Sequence, residues 1–305
     1  MGIGCNNFGR ELDVEQSRAV IHAALDQGVN FFDTADHYGK PRTMSEQVMG
    51  QVFGGRRDEA LIATKFGRAL DDEQLGGATP NYVRKATEAS LRRLNIDHID
   101  LMQIHIPDPQ TPIADSLGAL NELIDAGKIR EIGLSNYTVD QLRDADAAGS
   151  EAGRGFVSTQ EEYSLLNRAI ERDVLPECSR LGIALLPYFP LHNGLLTGKY
   201  RPGQATPSNT RIMNKPDAMR EKILSQRNLE IVGTLIEFSE SRGHTMLELA
   251  VGWLLSHPEI PSVIAGVTSP AQVVSNVKSA GWVLSEEERA EVDELAPLGA
   301  AEEPT

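Results

Sequence analysis

The sequence predicts an α/β fold, a (β/α)8 TIM barrel, and three observations carry that expectation. Short apolar runs rich in β-branched residues alternate with segments of helical spacing along the chain. Eight such runs occur, each followed by a helix, and their apolar faces leave no polar side, as in strands buried on both faces. No linker or shift in composition divides the 305 residues, so one barrel domain spanning 1–305 is expected. A doubly wound open sheet would need Gly-x-Gly-x-x-Gly after the first strand, and Gly2-Ile3-Gly4-Cys5-Asn6-Asn7 lacks the third glycine.

The elements follow in order. Residues 1–4 form a short apolar start, and 14–27 have helical spacing behind Asp13, a candidate N-cap. Strands are expected at 29–33 and 60–65, with a helix at 44–53 between them. Thr79-Pro80 reads as a cap followed by proline at the first helical position, opening a helix to Leu94. Residues 99–105 are the next strand, and Thr111-Pro112 repeats the cap-and-proline start of a helix ending near Gly127. Strands at 129–134, 156–160 and 182–188 follow, with helices from Thr138 and over 170–181. The longest irregular stretch, about 189–220, comes after strand 7 and is rich in Gly, Pro and Asn. Helices at 221–241 and 245–256, a last strand at 260–264 and a helix at 270–279 complete the pattern. Ser285 with Glu288 makes a capping box for an extra C-terminal helix.

Composition narrows the function. There are 29 basic and 44 acidic residues, a net charge of −15. Nucleic acid and anionic membranes both need a basic field, so neither is expected as a partner. Two cysteines, Cys5 and Cys178, make no disulfide framework. Residues 1–25 hold no apolar signal core, and no run nears the roughly 18 apolar residues of a spanning helix. A soluble, cytoplasmic protein is expected, a monomer or small homo-oligomer.

Four polar residues close three of the apolar runs. Asp33 ends the second run with Tyr38 five residues on, Lys65 ends the third, and His105 ends the fourth. In a parallel barrel these strand ends meet at one mouth, where such folds place their chemistry. A lysine completing a buried strand costs several kcal/mol unless paired, and Asp33 is the natural partner. No His-x-His strand, carboxylate run or nucleophile elbow supports a metal hydrolase or a serine or cysteine nucleophile. Two readings remain. Lys65 is a Schiff-base nucleophile, as in a barrel lyase. Otherwise Tyr38 is a general acid, and Lys65, held by Asp33, lowers its pKa from about 10 toward working pH while His105 bonds a substrate oxygen.

These residues also carry a resemblance. Phe31-Phe32-Asp33-Thr34-Ala35-Asp36-His37-Tyr38-Gly39 resembles the Asp-Thr-Ala-x-x-Tyr-Gly signature of the aldo-keto reductases. Ala63-Thr64-Lys65 and Asp100-Leu101-Met102-Gln103-Ile104-His105 resemble the family's lysine and histidine strands. Ile132-Gly133-Leu134-Ser135-Asn136-Tyr137, Glu162 to Arg168 and Gly194 to Tyr200 are similar to further family segments, in family order.

The resemblance implies reduction of an aldehyde or ketone by NADPH, with NADH as an alternative. It makes Asp33, Tyr38, Lys65 and His105 the catalytic four, with Tyr38 the proton donor. It places Ser135, Asn136 and Gln160 on the nicotinamide carboxamide and Tyr188 on the nicotinamide ring. Gly4, Cys5, Phe189, Pro190 and Leu191 fall among the cofactor contacts. Lys199 and Arg211 meet its phosphates, and Gly266, Thr268, Gln272 and Asn276 hold its adenosine half. Ser269-Pro270 opens a helix there, whose N-terminus favours phosphate. Gln272 and Asn276, four apart, share a helical face toward the adenine. Cys5, Asn7, Phe8, His37, Pro107 and 189–215 would line the substrate pocket. In the same family, potassium-channel β subunits suggest a cofactor-sensing regulatory subunit as an alternative.

Three departures bear on these expectations. Phe189 stands where many relatives carry Ser. Val267-Thr268-Ser269 lacks the Arg or Lys that many use to grip the 2′-phosphate. The chain begins inside the first strand, so the family's N-terminal hairpin is expected to be short or missing.

Overall fold

Every inter-strand pairing in the sheet is parallel, and the strand order is β7-β6-β5-β4-β3-β2-β1-β8. The computed structural model describes residues 1–70 and 76–300. The strands are β1 (Gly2–Gly4), β2 (Phe31–Asp33), β3 (Leu61–Phe66), β4 (Ile99–Ile104), β5 (Ile129–Ser135), β6 (Ser158–Glu162), β7 (Ala184–Tyr188) and β8 (Ile264–Gly266). The remaining seam lies between β7 and β8, where the Leu185 amide donates to the Glu259 carbonyl at 2.8 Å. The result is a nearly closed (β/α)8 barrel.

Helices α1 (Val14–Asp26), α2 (Met44–Val52), α3 (Pro80–Leu94), α4 (Ile113–Asp125), α5 (Val139–Ala152) and α6 (Val174–Leu181) follow the first six strands. Between β7 and β8 come a long irregular stretch and α7 (Asp217–Ile223), α8 (Gln226–Ser241) and α9 (Met246–Leu255). Last are α10 (Pro270–Ser279) and α11 (Glu286–Leu295). Local chemistry sets most helix starts. Asp13 and Gln16 close a capping box on α1, as do Thr138 with Gln141 on α5 and Ser285 with Glu288 on α11. Thr79 caps α3 ahead of Pro80, and Ser269 caps α10 ahead of Pro270.

Several boundaries differ from the sequence expectation, among them the helix expected over 170–181, which breaks at Asp173 ahead of α6. Thr111 gives its hydroxyl to Asp108 at 2.7 Å, so it does not cap α4, and Pro112 takes the cap position itself. The segment expected as one helix over 221–241 breaks at Leu224–Ser225, where the Ser225 side chain caps α8. The last strand starts at Ile264 instead of 260, because Pro261 has no N–H and the Ile260 amide turns to the His257 carbonyl.

The main core lies between strands and helices. Inside the barrel, Ala63, Leu101, Leu186, Ile264 and the partly buried Phe31 form a small apolar plug. It closes the barrel beneath the carboxyl strand ends, so polar groups above it sit in a dry, walled site. No described helix is long and apolar enough to cross a membrane.

Helix α2 meets α3 at Gly50, where an added Cβ would stand 2.4 Å from the Arg93 carbonyl oxygen. Backbone atoms on α3 cannot yield as a side chain would. Gly50→Ala is expected to lower unfolding free energy by about 1–3 kcal/mol in urea titration; an unchanged midpoint would contradict this packing.

Candidate active site

The barrel register sets the site. Gly4 pairs with Asp33 on one side and Gly266 on the other, and Lys65 pairs with Gln103. Residues at these levels point into the barrel mouth because strand side chains alternate. Lys65 is fully buried, and its Nζ donates to Asp33 Oδ1 at 2.8 Å, Asp33 Oδ2 at 2.6 Å and the Thr34 carbonyl at 2.8 Å. All three ammonium hydrogens are thereby used. Asp33 Oδ1 also accepts from the Gln160 amide at 2.9 Å and the Gln103 amide at 3.3 Å. A buried ion pair with extra hydrogen bonds to its carboxylate is the arrangement that offsets desolvation.

Burial pulls the Lys65 ammonium down, but Asp33 and Tyr38 outweigh it and carry the value above that of free lysine. Tyr38 sits above this pair, with Lys65 Nζ 5.2 Å from its ring centre. Here one expectation is corrected. Lys65 does favour the phenolate, yet burial is the larger effect and Asp33 adds to it, so the Tyr38 phenol lies above its ordinary value. The ammonium's charge is largely spent on Asp33.

The loop after β2 is fixed from below. The Asp36 amide donates to the Lys65 carbonyl at 2.9 Å, and the Tyr38 amide to the Ala35 carbonyl at 3.1 Å. Thr34 and Ser45 share a 2.8 Å hydroxyl contact, and Ser45 donates on to the Cys5 carbonyl. His37 lies 4.9 Å from Tyr38 and 4.8 Å from His105 between ring centres, and Tyr38 lies 5.8 Å from His105. Burial, helped by Arg68 and Lys65, pushes His37 down to about 4, and burial with Lys65 pushes His105 far below the usual range. Both imidazoles are neutral at physiological pH.

The structure brings Ser135, Asn136, Gln160 and Tyr188 together beside the four. Ser135 donates to the Gln160 carbonyl at 2.9 Å, the Asn136 amide reaches Ser135 and the His105 carbonyl, and the Tyr188 hydroxyl donates to Asn136 Oδ1 at 2.9 Å. Asn136 has a left-handed backbone (φ 62°). Past β7, Phe189, His192 and Asn193 are also left-handed, at φ 51°, 43° and 58°. Non-glycine residues there are strained, and such strain gathers at functional sites. Both ring nitrogens of the buried His192 and Asn193 Oδ1 lack partners.

Arg211 lies with its guanidinium 5.1 Å from the Phe189 ring and close to Gly266. Burial, then Arg10, lowers it, and burial with Arg211 and Arg10 lowers Lys215. Three cations thus repel one another at the rim of an acidic protein. Lys199, also lowered by burial, approaches Gly194. Pro190 is buried and Leu191 half-buried in the same turn.

Other expected residues are placed differently. Cys5 and Phe8 are fully buried, and the Cys5 thiol, raised by burial, points to the Ile3 carbonyl. Their side chains therefore do not line the mouth. Asn7 and Pro107 remain half-buried at the rim. Gln272 Oε1 turns back onto the Thr268 amide at 2.7 Å, while Asn276 is only 7 % exposed, so the two amides do not present one open face. Gln103, Arg10, Lys215 and Arg68 were not singled out from the sequence. Gln103 was findable, since it lies two residues before His105 on the same side of a strand. The three cations carry no local signal.

The comparisons with known proteins show the family. The model of the Aldo/keto reductase family matches residues 1–297, and the chain belongs to that family. Its relatives include a probable voltage-gated potassium channel subunit beta of Arabidopsis thaliana, 34 % identical over 89 % of this chain and 84 % of that one. The L-glyceraldehyde 3-phosphate reductase of Escherichia coli K12 is 30 % identical over 95 % and 86 %, and the aldo-keto reductase YhdN of Bacillus subtilis 33 % over 93 % and 84 %.

Removing Lys65 leaves Asp33 a buried charge without its cation. Lys65→Met is expected to cost about 3–5 kcal/mol of stability, and adding Asp33→Asn to recover part of it, both read by urea unfolding. Equal stability of the Lys65→Met and wild-type proteins would contradict the pairing.

Proposed function

We propose that the protein reduces an aldehyde or ketone to an alcohol with NADPH, and that Tyr38 gives the proton. The observation that carries this reading is the Tyr38 phenol set between the Asp33–Lys65 pair and the neutral His105. Its hydroxyl bonds Lys65, and the ring is only partly buried, so it stands where a substrate oxygen can meet it. A protonated phenol is the form a carbonyl reduction needs.

The residues fit a dinucleotide. Arg10, Arg211 and Lys215 crowd together; Arg10 pairs with Glu11 at 3.5 Å, and Glu11 and Glu162 offset the lowering of Arg211 and Lys215 only in part. A polyanion relieves that repulsion. The strained 189–194 turn after Tyr188 holds further unpartnered polar atoms, on His192 and Asn193. When bound, the cofactor supplies the hydride. Ser135, Asn136 and Gln160 would hold the carboxamide, Tyr188 the nicotinamide ring, and Gly4, Phe189, Pro190, Leu191 and Lys199 the middle of the molecule. Gly266, Thr268, Gln272 and Asn276 would border the adenosine half. The 2′-phosphate, for which the 267–269 segment has no cation, would fall to Arg211 with Arg10 and Lys215.

In the reaction, His105 donates to the carbonyl oxygen and orients it. Tyr38 delivers its proton to that oxygen as negative charge develops there. Lys65 stabilises the phenolate left behind, and Asp33 keeps Lys65 charged and fixed. A Schiff-base lyase is poorly served, because that chemistry needs a neutral amine with a free lone pair, whereas Lys65 is charged and all its hydrogens are used. The channel-subunit relative favours a second reading, a cofactor-dependent regulatory barrel, which would bind NADPH without steady turnover.

Tyr38→Phe should bind NADPH, read by fluorescence quenching, and lose about 10²–10⁴ in kcat; full turnover would refute the assignment. The wild-type kcat/KM for reduction should stay level through neutral pH and fall only above about pH 10, because the phenol must stay protonated and its value is raised. A decline below about pH 8 would contradict this. Arg211→Ala should raise the KM for NADPH about 10-fold or more and that for NADH far less; equal effects would remove Arg211 from the 2′-phosphate.

A further inference from the structure

We infer that Glu161 is a positioning residue for the face made by Ser135, Asn136 and Tyr188: its carboxylate is the anion held in a backbone concavity at the β5–α5 turn, and loss of its charge loosens the hold on the nicotinamide. The inference rests on the reductase reading above and adds to it a proton-linked control of cofactor affinity.

Glu161 lies on β6 between Gln160 and Glu162. Strand side chains alternate, so Gln160 points into the barrel, where it reaches Asp33, and Glu161 points the other way, toward the helices. It is nonetheless buried, at 7 % exposure. Three donors meet its carboxylate. The Thr159 hydroxyl donates to Oε1 at 2.7 Å, and the Tyr137 amide donates to the same oxygen at 3.1 Å. The Asn136 amide is shared between this carboxylate and the Gln160 carbonyl, the latter at 3.1 Å. Successive amides flanking a left-handed residue form a concavity that binds anions, and Asn136, at φ 62°, is that residue. The turn thus closes around a carboxylate supplied by the neighbouring strand.

That turn aims the Asn136 side chain. Its amide nitrogen donates to the His105 carbonyl at 3.0 Å and the Ser135 hydroxyl at 2.9 Å, and its oxygen accepts from the Tyr188 hydroxyl at 2.9 Å. Residues other than glycine settle in the left-handed region only with local support, and Glu161 supplies it. A neutral side chain there gives up the charge that draws the two amides inward, and turns one of its two acceptor sites into a donor. Burial pushes Glu161 up to about 7, against the pull of Thr159, Tyr137 and Asn136. The titratable groups around it are Tyr137 on the turn, Cys178 on α6 and Tyr188 on β7, all raised and all neutral near pH 7. Asp108 acts in turn on Tyr137, Glu162, Arg68 and Tyr38 on Tyr188, and Glu259 and Glu177 on Cys178. Among Glu161 and its three neighbours, only Glu161 changes charge near neutral pH. A cofactor that binds the charged form better must lose affinity as pH falls through about 7.

The test measures the Kd for NADPH by fluorescence quenching from pH 8 to pH 6, in wild type and in Glu161→Gln, which keeps the shape without the charge. Dividing the variant's Kd by that of wild type at each pH cancels titration of the cofactor's own 2′-phosphate. The ratio is expected to be about 3–10 at pH 8 and to fall below about 2 at pH 6, where wild type is itself protonated. In the free wild-type protein the Tyr137 amide proton should shift with the same midpoint by NMR, a reading that needs no folded variant. A ratio near 1 at pH 8, a ratio that stays level down to pH 6, or a Tyr137 amide that does not titrate would overturn the inference while leaving the reductase reading standing. Failure of wild type to bind NADPH at any pH would overturn both.

Discussion

The site depends on one buried ion pair. Lys65 is wholly buried and survives there because Asp33 takes two of its hydrogens and the Thr34 carbonyl the third. Asp33 is held in turn by Gln160, from β6 across the mouth, and by Gln103, from β4 beside Lys65. A charge pair in this setting adds little net stability, but either half alone is costly. The pair thus ties β2, β3, β4 and β6 to one geometry and fixes the surface on which Tyr38 stands.

From that base the mouth divides into three faces. Tyr38, His105 and His37 make a neutral aromatic face with polar tips outward. Ser135, Asn136, Gln160 and Tyr188 make an amide and hydroxyl face, already linked by hydrogen bonds. Arg10, Arg211 and Lys215 make a cationic rim around β8 and the strained turn after β7. The division would let a protein of net charge −15 receive the proposed dinucleotide: the basic potential is local and is strengthened by partial burial.

Much of this was legible in the sequence, for definite reasons. Strand-end polar residues are conspicuous because apolar runs lead into them, so Asp33, Lys65 and His105 could be read directly. Capping residues mark where α1, α3, α5, α10 and α11 begin because their chemistry is local. What escaped depends on three-dimensional neighbours. The direction of the Tyr38 shift turned on burial outweighing Lys65. Cys5 and Phe8 occupy a loop expected to line the pocket, but register turns them inward. Arg10 and Lys215 lie about two hundred residues apart in the chain, and only barrel closure between β8 and β1 brings them together. The break before α8 and the late start of β8 reflect a serine cap and a proline overriding apolar periodicity.

The central claim is that Lys65 is a permanently charged group acting by its field, not a nucleophile. Heteronuclear NMR of lysine-labelled protein, with Lys65→Met to assign the signal, reads this directly. The account predicts an ammonium Lys65 throughout roughly pH 6–10, with no titration below the value of free lysine. A Lys65 amine that loses its proton near neutral pH would contradict the account and restore the Schiff-base reading.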